Sequence, residues 1–132
     1  MKVTGGCHCG AIRYEAEVDP ATAGICHCTD CQQMSGTAWR ASVRARAEDL
    51  KLAGEPRVYI KTAESGTRRA QAFCPTCGSA IYAVTPGDER IYSLRLGSVD
   101  QRAELPPRFQ IWCDSALPWA LDISAVPGRA KQ

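Results

Sequence analysis

Seven of the eight cysteines in this 132-residue chain fall into three tight groups. They are Cys7 and Cys9 in "CHC", Cys26, Cys28 and Cys31 in "CHCTDC", and Cys74 and Cys77 in "CPTC", with Cys113 alone. A disulfide framework spreads its cysteines so that each bridge closes a useful loop, whereas a metal site takes two thiolates from one local turn. The grouping therefore points to metal binding, and any fold must bring segments far apart in sequence to a common ion. The N-terminus "MKVTGGCHCG" carries no apolar stretch of the kind a signal peptide needs, so a reducing, cytoplasmic setting is expected.

Between the groups, hydrophobicity alternates with period two. "AIRYEAEV" sets Ile12, Tyr14, Ala16 and Val18 against Arg13, Glu15 and Glu17, the pattern of a half-buried strand. Residues 37–44, 57–61, 68–74, 79–84, 90–99 and 109–113 read similarly, separated by turn signals such as Pro86-Gly87-Asp88. Two short helices are expected, one capped by Thr29 and running to Met34, the other over Ala45–Leu50. The fold class is thus mostly β, antiparallel, in a single domain over residues 1–132, with a frayed tail over Pro127–Gln132. Sixteen basic residues face fourteen acidic ones, giving a formal net charge of +2, too balanced and scattered for a nucleic-acid surface. No apolar run reaches the ~20 residues of a membrane span.

Seven clustered cysteines make one four-sulfur site and one three-sulfur site. The simplest partition joins the two pairs, Cys7, Cys9, Cys74 and Cys77, around a structural zinc. In an extended C-x-C the intervening residue faces away, so His8 and His27 are expected beside the sites rather than in them. Pro75 and Gly78 suit the turn of "CPTCG". Cys26, Cys28 and Cys31 remain for a second zinc with an exchangeable fourth position, the form of a catalytic site. Two alternatives stay open: Cys113 closes this site, or the triplet serves redox chemistry without a stable metal. Cys113 is otherwise expected as a small buried apolar residue on a strand. Three thiolates leave zinc a weak Lewis acid, so the expected visitor is a thiol, itself easily deprotonated.

The segments "GGCHCGAIRYEA", "CHCTDCQQMSGTAW" and "FCPTCGSAIY" resemble the motifs of the glutathione-dependent formaldehyde-activating enzyme family, a domain shared with a centromere-associated protein family. The resemblance runs from about residue 2 to about residue 122. It implies an Mss4-like antiparallel fold and two zincs per chain. The structural zinc would lie on Cys7, Cys9, Cys74 and Cys77, the catalytic zinc on Cys26, Cys28 and Cys31. It also implies a carbon–sulfur lyase that joins glutathione and formaldehyde as S-hydroxymethylglutathione. The contrasting expectation is a zinc-stabilised binding module of the Mss4-like type without catalysis. The family often carries His where this chain has Gln110. Glutathione's two carboxylates call for arginine near the triplet, and Arg13, Arg40 and Arg69 are the candidates, each expected as a solvated surface side chain. Trp39, Trp112 and Trp119 are expected at the core or rim, and Met34 and Ser35 in the pocket wall. No residue signals an oligomeric state.

Overall fold

Alternation decides which faces are covered, and the computed structural model, which describes residues 1–132, follows it closely in the second strand. Strand β2 (Arg13–Val18) buries Tyr14, Ala16 and Val18 and exposes Arg13, Glu15 and Glu17. The other strands are β1 (Lys2–Gly6), β3 (Gly24–Cys26), β4 (Arg40–Ala53), β5 (Arg57–Thr62), β6 (Arg68–Phe73), β7 (Ala80–Thr85), β8 (Asp88–Arg95) and β9 (Phe109–Ile111). They form one sheet in the order β1-β2-β4-β8-β7-β6-β5. Strand β3 lies against the start of β4 and carries β9 on its other side. Every pairing is antiparallel except β3 with β9. A mostly-β, open antiparallel architecture with one α-helix is the outcome.

Strand β4 organises the sheet. Its first half pairs with β3 and with β8, its second half with β2. The helix expected over Ala45–Leu50 does not form. Ala45 and Arg46 are held opposite Tyr92 and Ile91 of β8, and Leu50–Ala53 opposite β2. Ala16 faces Leu50 while Val18 faces Ala45, so the residues between bulge out of the ladder. An Arg46 Nε to Asp49 Oδ2 hydrogen bond of 3.0 Å closes that bulge. Six residues are too few to nucleate a helix against competing strand partners.

Helix α1 (Thr29–Ser35) starts one position earlier than expected: Cys28, not Thr29, is the cap, and its Sγ accepts from the Cys31 amide at 3.3 Å. Gly36, at φ 68°, ends it in the left-handed conformation. Strands β1 and β3 add to those that the alternation predicts. The core is one cluster of 14 buried residues, among them Val3, Ile12, Val43, Ile81, Leu94 and Leu105, together with Cys7 and Cys74. No helix is long and apolar enough to cross a membrane.

Candidate metal centres and the cleft beside them

Two hairpin turns bring Cys7, Cys9, Cys74 and Cys77 together. Cys7 and Cys9 sit in the turn between β1 and β2, not in an extended segment as expected. The Cys7 amide donates to Ile12 O, and the Gly10 amide donates back to Cys7 O. Cys74 and Cys77 sit in the turn between β6 and β7, which Gly78 completes at φ 76° while its amide donates to Cys74 O at 2.9 Å. Ser79 joins the turns, its Oγ accepting from the His8 amide at 3.0 Å and lying 3.2 Å from Cys77 Sγ. Cys7 and Cys9 sulfurs are 3.6 Å apart, and Cys9 and Cys74 sulfurs 3.7 Å. All four lie within 4.8 Å of one another. Four sulfurs at the ordinary zinc–sulfur distance form a tetrahedron with edges of about 3.8 Å. The donor set and its spacing therefore suit zinc.

The second cluster is local. Strand β3 ends on Cys26, Cys28 caps α1 and Cys31 lies in its first turn, and their three sulfurs also lie within 4.8 Å of one another. The hydrogen bond that Cys26 takes from Cys31 holds the Cys26 thiol below its usual range. The same sharing, then burial, pushes Cys31 well above it. A bound cation would take these crowded sulfurs as thiolates. Cys113 belongs to neither cluster. It is exposed, on a short 3₁₀ turn after Trp112, rather than a buried strand residue as expected.

His27 points away from the sulfurs. It is almost fully buried, and its Nε2–H donates to Gln110 Oε1 on β9 at 2.7 Å, leaving Nδ1 without a partner. Gln110 thus fixes the side chain of the residue that separates Cys26 from Cys28 in the chain. Gln32 braces the same region, its amide nitrogen donating to His27 O at 2.8 Å and to Ser115 O at 2.9 Å. Lys61 reaches from β5 to Asp30 of α1 at 2.9 Å.

Cys26, Cys28 and Cys31 line an open cleft of about 820 Å³. Its floor is one face of the sheet, and period two decides what stands there. Arg40, Ser42, Arg44 and Arg46 come from β4, Ser93 and Arg95 from β8. The expectation of solvated arginines holds only for Arg13, which is exposed and paired with Asp100 at 2.9 Å. Arg40 is 7% exposed, and Arg69 is half-buried with its Nη1 donating to Thr85 Oγ1 at 2.7 Å. Arg95 and the buried Gln71, which no local motif marks, join them. Burial, and then repulsion from Arg40, push the Arg95 guanidinium down to about 9. Met34, Ser35 and Trp39 line a neighbouring cavity of about 630 Å³, not this cleft. Trp112 lines the cleft rim, and Trp119 is exposed away from it.

Fold and site together define a class: a mostly-β protein with two cysteine clusters fit for metal, consistent with the Mss4-like fold. The chain belongs to the glutathione-dependent formaldehyde-activating enzyme family, whose family model matches residues 2–115. A Halomonas elongata protein named for the same family is 27% identical over 115 residues, covering 81% of this chain and 71% of that one. The crystal structure of a Rhodobacter sphaeroides protein superposes with a TM-score of 0.61 at 23% identity, over 81% of this chain and 98% of the other. That likeness concerns the fold alone.

Proposed function

We propose that this chain is a zinc-dependent enzyme of the carbon–sulfur lyase type that forms or breaks adducts between a thiol, glutathione by family, and a small electrophile such as formaldehyde. The observation that carries the reading is the asymmetry between the clusters: four sulfurs at one, three at the other, and only the three-sulfur cluster lining the open cleft. Cys7, Cys9, Cys74 and Cys77 would hold a structural zinc, and Cys26, Cys28 and Cys31 a catalytic one. When bound there, zinc supplies a position at which an incoming thiol loses its proton more readily.

The chain's own groups do the rest. The Cys28 cap bond to the Cys31 amide, and the two bonds of Gln32, hold three sulfurs on a short segment with little freedom to rearrange. The positive field of Arg95 and Arg40 reaches Cys26 and Cys31 and favours anionic sulfur in the cleft. In the net reaction a sulfur–carbon bond forms, the carbonyl π bond breaks, and the thiol proton ends on the former carbonyl oxygen. Exchange spectroscopy of glutathione with isotopically labelled formaldehyde tests this. The wild-type protein should accelerate adduct exchange above the spontaneous rate, and Cys31→Ser should not. Equal rates with and without protein, where thiol still binds, favour a non-catalytic zinc-stabilised binding module.

A further inference from the structure

Arginines removed from water are ordinarily matched by carboxylates. Three that line the cleft with Cys26, Cys28 and Cys31, one buried and two half-buried, are not. Arg40 Nη1 donates to Gln71 Oε1 at 3.1 Å, and Arg95 Nη2 donates to the same oxygen. Arg69 donates to Thr85 Oγ1 at 2.7 Å and to Ser93 Oγ at 3.3 Å. Every acceptor is neutral. The acidic side chains nearby are engaged elsewhere: Asp88 with Arg90, Glu48 with Arg46, and Asp30 with Lys61.

The sheet register builds this arrangement. Gln71 of β6 stands opposite Ala83 of β7, Ala83 opposite Ser93 of β8, and Ser93 opposite Arg44 of β4. Arg69 lies two residues before Gln71 on the same face, and Arg95 two after Ser93. The small side chains of Ala83 and Ser93 keep the middle of the row low, so long side chains from either side border an open floor. An amide oxygen can orient two guanidiniums without neutralising either. Each guanidinium has five N–H donors, and Gln71 takes one from Arg40 and one from Arg95. Two donors on one oxygen also fix which end of the amide faces them.

We propose that Arg40, Arg69 and Arg95, positioned by Gln71, Thr85 and Ser93, form a subsite for an oxyanion, carboxylate or phosphate, carried by the ligand whose thiol meets the three-cysteine cluster. The inference rests on the thiol reading above and adds the charge that its ligand must bear. The competing role for these arginines is to offset the charge of the cysteine sulfurs, with no ligand contact.

Calorimetric titration of the intact, zinc-loaded protein separates the two. The probes are S-methylglutathione, which has carboxylates but no free thiol, inorganic phosphate, and 2-mercaptoethanol, a thiol without charge. Gln71→Glu delivers an internal carboxylate to Arg40 and Arg95 at nearly unchanged volume. Arg69→Met removes one guanidinium from the partly exposed side of the cleft and serves if a glutamate at position 71 disturbs folding. S-methylglutathione or phosphate should bind the wild type and weaken about tenfold or more in either variant, the loss of one charge-assisted hydrogen bond. Binding of 2-mercaptoethanol should weaken less than that of either anion in the same variant, since it makes no charge-assisted bond to the arginines and feels only their field at its sulfur. Which anion binds identifies carboxylate or phosphate as the class. Anions that bind the variants as tightly as the wild type, or do not bind the wild type at all, overturn the subsite. Anion binding that weakens in the variants, with 2-mercaptoethanol failing to bind, keeps the subsite and sinks the thiol reading.

Discussion

Replacing Cys74 with serine should unfold this protein. Cys74 has no exposed surface and packs within the main core cluster, and its sulfur lies 3.7 Å from Cys9 Sγ, 65 residues away in sequence. The four-sulfur cluster therefore ties the β1–β2 turn to the β6–β7 turn, two parts of the sheet separated by β4 and β8 in strand order. Structural zinc contributes about 10–16 kcal/mol of apparent free energy in small peptides. Domains of ordinary size are stable by roughly 5–15 kcal/mol. Losing one of four ligands at such a site, and burying a hydroxyl in its place, removes most or all of that margin. Denaturant unfolding followed by circular dichroism, with zinc counted by native mass spectrometry, gives the readout. Cys113→Ser is the control: an exposed residue outside both clusters should shift stability by no more than about 0.5 kcal/mol. A Cys74→Ser protein that stays folded with a cooperative transition near the wild-type midpoint would refute the structural role of the cluster.

Cys31→Ser should lose one of two zincs and stay folded, because its cluster is confined to one short segment; native mass spectrometry and circular dichroism check this together. Gln110→Leu should destabilise the fold by about 1–3 kcal/mol, since it leaves the buried His27 Nε2–H without its acceptor; denaturant unfolding against wild type measures it. Tyr14 is buried and its phenol is pushed up from 10.0 to about 12, chiefly by burial. A phenol raised in the folded state contributes stability that is complete below pH 10 and is lost as pH rises toward 12. Over that window its share falls by about 2–3 kcal/mol. Tyr14→Phe should remove this part of the alkaline decline, read from unfolding midpoints at successive pH values.

The sequence made strands legible wherever one face is covered locally. Tyr14, Ala16 and Val18 declare β2 because polar residues separate them. Strand β1 carries two glycines, and β3 is only Gly24, Ile25 and Cys26, so neither holds enough alternating side chains to show a period. The helix expected at residues 45–50 fails because strand partners on both sides of β4 are non-local. The cysteine grouping carried both sulfur clusters, since ligand spacing is a local property. The arginines are the least legible residues of the site. Arg40, Ser42, Arg44 and Arg46 alternate with buried Val43 and Ala45, and such a face reads as solvated. It becomes a cleft only because Cys26, Cys28, Cys31, Phe109, Ile111 and Trp112, from other parts of the chain, line it as well. Gln71 lies between buried Ala70 and Ala72, so three consecutive buried residues mark a strand covered on both faces. In the sequence the only trace is a glutamine between two alanines, and only the fold gives it meaning.

X-ray absorption at the zinc edge, on protein loaded with two zincs and titrated with glutathione, tests the central claim most directly. An open three-cysteine site predicts that the mean number of sulfur neighbours per zinc rises on adding thiol, and that Cys31→Ser abolishes the rise. A resting spectrum already saturated with protein ligands at both ions, and unmoved by millimolar glutathione, would contradict it.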